Sequence, residues 1–185
     1  MPIPPFDGIL NVLPPHLGDP RLRAELSPYP CTMEELCDRF ATSGPRKEIL
    51  DCFLNFRAEL LGFGIVGFQW LDGSFLEDIE TQQARPPGDI DVITFVSYPA
   101  DSATLHAMLA PKKELLNRAY VKSTFHVDHF AIPLGAAPVV LVDEGRYWYG
   151  LFSHRRDRVW KGMLFVKLFD RLDDDKARIV LGGKP

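Results

Sequence analysis

The sequence predicts an α/β protein in the mixed, α+β sense: a mixed β-sheet flanked by helices, with a proline-rich arm ahead of it. Three observations lead there. Apolar residues recur at helical spacing between 33 and 61, runs of β-formers follow at 65–71 and 90–96, and helical and extended patterns alternate afterwards. At 185 residues, 46% hydrophobic and 25% charged, the chain suits one core. It divides into an arm over 1–30, a single domain over 31–170 and a polar tail over 171–185 that should fray.

Bulk properties exclude several classes. A net charge of −4 gives no general attraction for nucleic acid. Cys31, Cys37 and Cys52 are odd in number and match no zinc or redox spacing, which points to a reducing cytoplasm. The first residues show neither a basic n-region nor a long apolar run, so neither a signal peptide nor a membrane anchor is expected.

Taking the elements in order, prolines at 2, 4, 5, 14, 15, 20, 28 and 30 keep the arm extended. Phe6, Ile9, Leu10, Val12 and Leu13 give it apolar side chains to dock on the domain or in a protein partner's groove. Thr32 with Glu35 is a capping-box pair and starts a helix over 33–41. Pro45 opens a second helix to about Leu61, with Gly62 as its stop. A strand over 65–71 ends at Asp72-Gly73-Ser74, a short helix can begin over 75–79, and a loop covers 82–88. The apolar run 90–96 reads as an interior strand. A helical stretch over 102–120, interrupted at Pro111, precedes a third strand over 121–132. Beyond Pro138 either a strand with a loop or a helix fits, a helix being favoured for the second part; 162–169 reads as the last strand.

Chemistry concentrates between Gly67 and Val96. A Gly73-Ser74 corner lets backbone N–H groups approach a phosphate. Asp89 and Asp91, two apart on a strand, share a face, and Asp128 joins them if its strand lies alongside, with His126 on that face and His129 on the other. Three bare carboxylates repel one another unless a divalent ion neutralises them, so Mg²⁺ or Mn²⁺ is the expected cofactor. Such ions stabilise in-line displacement at phosphorus, in nucleotidyl transfer or its hydrolytic counterpart.

LDGSF, then GDIDV, then the later strand aspartate of FHVDHF resemble the polymerase-beta-type nucleotidyltransferase superfamily over roughly 62–132. The likeness is closer to its small stand-alone bacterial members of unknown function than to any polymerase. The resemblance implies that Gly73 and Ser74 bind the triphosphate of an NTP such as ATP. It assigns metal binding to Asp89, Asp91 and Asp128, with Asp128 also helping to activate an acceptor hydroxyl on a protein, RNA or small molecule. Between Ser74 and Asp89 lie 14 residues, a longer connection than is usual there, and Glu77, Asp78 and Glu80 among them must face away from a triphosphate or bind metal.

Blander readings stand beside these. Gly73-Ser74 can be only a tight turn. His126 and His129 can be structural, and Asp173 to Asp175 a solvated charge run. Arg155, Arg156 and Lys161, in HRRDRVWK with Trp148 and Trp160 nearby in the chain, can grip phosphate or form a solvated helix end. Tyr147, Trp148 and Tyr149 read as packing or an interface edge. The alternative function is a catalytically silent module that binds a protein partner in a toxin-antitoxin or defence system.

Overall fold

Thr32 closes the expected capping box in the computed structural model: its Oγ1 accepts from the Glu35 N–H at 3.0 Å, and Glu35 Oε2 accepts from the Thr32 N–H at 2.8 Å. Helix α1 (Met33–Phe40) then buries Met33, Leu36, Cys37 and Phe40 along one side. Helix α2 (Gly44–Gly62) starts with Pro45 in its first turn and buries Ile49, Leu50, Phe53, Leu54, Phe56 and Leu60. The structure describes residues 3–97, 103, 104, 107, 110–169 and 171–184.

A five-stranded mixed sheet forms the centre. Its strands are β1 (Tyr29–Pro30), β2 (Val66–Asp72), β3 (Ile90–Ser97), β4 (Val127–Pro133) and β5 (Leu164–Leu168), in the order β1-β5-β2-β3-β4. β2 runs antiparallel to both neighbours, whereas β3 with β4 and β1 with β5 are parallel. Alternation sends Leu71, Val92, Val127 and Val166 into the core beneath α1 and α2. Also on that side lie α4 (Arg118–Phe125) and α6 (Leu172–Gly183), through Val121 and Ala177; α3 (Ile79–Gln83) lies between β2 and β3 in the chain. The opposite face carries Ile93, Phe95 and Ile132, covered by Trp148 and Phe152 of α5 (Pro138–Phe152). The protein is thus an α+β domain with a mixed sheet, as the sequence predicts.

The arm is docked on this domain. Val12 and Leu13 are buried, the Gly162 N–H donates to Leu13 O at 2.7 Å, and Tyr29 OH donates to Pro14 O at 2.7 Å. Ile9 and Leu10 remain exposed.

Several elements differ from expectation. Residues 121–125 are not strand but the end of α4, which Asn117 caps through the Tyr120 N–H; β4 begins only at Val127. Tertiary burial of Val121 outweighs the β-preference of the local sequence. His126, at φ 53°, is the left-handed turn between them, so it shares no strand face with Asp128. Instead of a helix over 75–79, a 3₁₀ turn (Ser74–Leu76) precedes α3, which Asp78 caps. Part of the helical stretch expected over 102–120 lies outside the described residues; Ala110–Leu116 is 3₁₀, broken at Lys112. The ambiguous segment after Pro138 is helix as far as Phe152. The tail expected to fray is helical as α6: Asp173, Asp174 and Asp175 occupy its first turn, where the dipole favours anions. Among the described residues, no helix is long and apolar enough to cross a membrane.

Candidate functional site

Three strands deliver carboxylates to one end of the sheet. Asp72 of β2 is the register partner of Asp91 in β3, and Asp91 is the register partner of Asp128 in β4. These partners point to the same face, the one α5 partly covers, with neighbouring strands about 4.8 Å apart. Asp89 lies two residues before Asp91, immediately ahead of β3. The row ends against Gly73, whose φ of 90° and ψ of −175° are closed to other residues without strain. A Cβ there would fall on the Asp91 carboxylate and come within 3.3 Å of the Asp91 amide nitrogen. Glycine therefore permits the close approach of the corner to the acid row. Half-buried Ser74 follows and starts the 3₁₀ turn.

Two cations that the sequence reading did not single out neutralise part of the row. Arg118 forms a forked pair with Asp128, Nε to Oδ1 at 2.5 Å and Nη2 to Oδ2 at 2.8 Å, and lies 4.3 Å from the Phe130 ring centroid. Lys122 Nζ bridges two carboxylates, 2.5 Å from Asp89 Oδ2 and 2.9 Å from Asp128 Oδ2. Burial works against the charge of Asp128, yet the hydrogen bonds from Arg118 and Lys122 hold its carboxyl below the usual range. Asp91 has no such partner among the described residues, and burial, then the charges of Asp89 and Asp128, push it up to about 6. As they stand, no three His, Cys, Asp or Glu side chains among the described residues are grouped tightly enough to enclose a metal ion.

Beneath the corner, Lys161 is buried. Its Nζ donates to Glu77 Oε1 at 2.7 Å and Gly73 O at 3.3 Å and lies 2.9 Å from Asp72 Oδ1, off the line of a hydrogen bond. Burial opposes its charge, but Asp72 and Glu77 together raise its affinity for the proton. Burial lifts Asp72 to about 7, a rise that Lys161 only partly offsets. Both carboxylates serve Lys161 as counter-ions, Asp72 through its charge and Glu77 also through the hydrogen bond at 2.7 Å.

The acidic connection is therefore occupied elsewhere. Glu77 pairs with Lys161, Glu80 pairs with Arg46 at 2.7 Å, and Asp78 caps α3. The basic stretch lies past the end of α5, in a turn closed by the His154–Trp160 bridge, and is not a helix end. There Arg155 pairs with Asp157 and bonds Gln82, Arg156 is exposed, and Lys161 is the buried strut already described. Trp148 packs on Phe130, as expected for a packing residue. His129 is structural: its Nε2 lies 2.8 Å from Thr94 Oγ1, its ring packs edge-on against Phe56, and burial lowers its pKa to about 4. Burial pushes the Cys37 thiol up to about 12, which disfavours the reactive thiolate at neutral pH.

Fold and site together define a small α+β domain with a carboxylate row, two attendant cations and a glycine corner at one end of a mixed sheet. The chain belongs to a family of unknown function (DUF6932), whose profile matches residues 4–167. No curated protein and no solved structure matches it.

Proposed function

We propose that the protein is a metal-dependent nucleotidyltransferase that moves a nucleotide from an NTP to a hydroxyl of a protein, RNA or small molecule. One observation carries the reading: Asp91 and Asp128 are register partners on one face, with the Gly73 corner packed against Asp91. The donors suit a hard divalent ion, being carboxylate oxygens throughout, with Asp91 lacking a counter-ion among the described residues and Asp89 and Asp128 sharing Lys122. Mg²⁺ or Mn²⁺ bound by Asp89, Asp91 and Asp128 would supply charge neutralisation at the transferring phosphate. The backbone of Gly73 and Ser74, at the corner beside Asp91, would approach the polyphosphate. Asp128, kept ionised, accepts a hydrogen bond from the acceptor hydroxyl and orients it. Glu77 and Glu80 are paired with Lys161 and Arg46, which reduces the repulsion an acidic connection would exert on a nucleotide. Free thiols at Cys31, Cys37 and Cys52 accord with a cytoplasmic setting.

Incubation with labelled NTPs, Mg²⁺ or Mn²⁺ and a cell extract should label an acceptor, and Asp91→Ala should abolish the label. Labelling that persists in Asp91→Ala removes the assignment.

The second reading is a catalytically silent partner-binding protein of a toxin-antitoxin or defence system. It is favoured by the engagement of Asp89 and Asp128 with Lys122 and Arg118, and by Val139, Val142, Tyr147 and Leu151 exposed on α5. A melting temperature unmoved by saturating NTP and metal would support it.

A further inference from the structure

The turn at His126 folds β4 back beside the helix that precedes it, which brings Lys122 and Arg118, one helical turn apart on α4, onto Asp128 of β4 and Asp89 just ahead of β3. Lys122 takes the place a cation would hold: one ammonium touches oxygens from two of the three aspartates. Both side chains are also well placed to leave. Lys122 is 49% and Arg118 57% exposed, so their exit leaves no buried charge on the helix. The carboxylates are less exposed, Asp89 at 24% and Asp128 at 8%, so they release these cations only to a divalent ion that satisfies the same oxygens. Arg118 is tethered by the Phe130 ring, so release from Asp128 would keep its guanidinium at the rim of the site.

We propose that Lys122 is an exchangeable counter-ion: it holds Asp89 and Asp128 until a divalent ion displaces it, and then, with Arg118, it binds the polyphosphate of the incoming nucleotide. The inference rests on the reading of this site as a metal and nucleotide site. Lys122 is thus a positioning residue that serves the carboxylates before loading and the substrate after it. A purely structural lysine would stay on its aspartates throughout.

The test uses the full chain. Mn²⁺ binding is followed by electron paramagnetic resonance, and acetylation of Lys122 by acetic anhydride, which loses acetate as it acylates the amine, is followed by mass spectrometry. Mn²⁺ alone should accelerate acetylation of Lys122, and adding a non-hydrolysable NTP should slow it again. Lys122→Met should bind Mn²⁺ roughly five-fold more tightly, the equivalent of about 1 kcal/mol, and bind the analogue at saturating Mn²⁺ several-fold less tightly. An acetylation rate indifferent to Mn²⁺ that resonance shows to be bound overturns the proposal, as does wild-type affinity of Lys122→Met for the analogue. Exchange of Lys122 without any labelled acceptor sinks the transferase reading and leaves this one standing; labelling without exchange does the reverse. No Mn²⁺ binding at all overturns both.

Discussion

Asp91 is held where a carboxylate is costly: buried, beside Asp89 and Asp128, without a cation of its own among the described residues. Its pKa is about 6, against an unfolded value of 3.8. Below the lower value the group is protonated in both states and does not affect the balance. Between the two, the unfolded chain ionises first and is favoured, so this contribution to stability falls as pH rises from about 4 to about 6 and levels off above. The loss amounts to about 2–3 kcal/mol at 1.36 kcal/mol per pKa unit. Asp91→Asn should lack that loss, so in the presence of a chelator the variant should be more stable than wild type at pH 7.5 and no more stable at pH 4. Urea unfolding across that range measures it, and a variant less stable at pH 7.5 would contradict the account. The same substitution should weaken Mn²⁺ binding. A residue whose removal stabilises the fold while impairing binding is being kept for the site, not for packing.

At the scale of elements, α6 shows how a segment read as a solvated tail becomes structure. Asp174 meets buried Arg57, whose other donors reach Gln69 Oε1 at 2.6 Å and Lys167 O at 2.9 Å. Asp173 accepts from the Met33 N–H at 2.7 Å and so satisfies an open donor at the start of α1. Asp174→Ala leaves a guanidinium buried without its carboxylate and should cost about 3–5 kcal/mol, read as a lower urea midpoint. Asp175→Ala, at an exposed position, should change the midpoint little. Local signals foretold α1, α2, β2 and β3, since capping, proline placement and alternation act within a few residues. The Arg57–Asp174 pair spans 117 positions, and no local pattern announces it. The misreading over 121–125 had a cost at the site. Treated as strand, those residues put Lys122 far from Asp128, whereas helix and turn fold it back at an i, i+4 spacing from Arg118. Gly73, Asp91 and Asp128 were legible because a turn and strand alternation fix their direction. The cations were hidden because their placement depends on where a helix stops.

At the scale of the whole molecule, the arm joins the site's corner to the edge of the sheet. Asn11 O accepts from the Asp78 N–H at 2.9 Å and from Gln82 Nε2 at 2.8 Å, within the connection that holds Glu77 against Lys161. Leu13 sits in the main core with no exposure, and the next residues lead through Pro14 and Tyr29 to β1, paired with β5. Leu13→Ala should therefore destabilise the protein by about 2–5 kcal/mol, the range for emptying a buried leucine site. Ile9, 88% exposed, provides the control: Ile9→Ala should fall within about 0.5 kcal/mol of wild type. Differential scanning calorimetry of the two variants distinguishes an arm that completes the domain from one held ready for another protein. If Leu13→Ala melts with wild type, the arm contributes little to the fold, and the corner at Gly73 must be held by Lys161 and Arg46 without it.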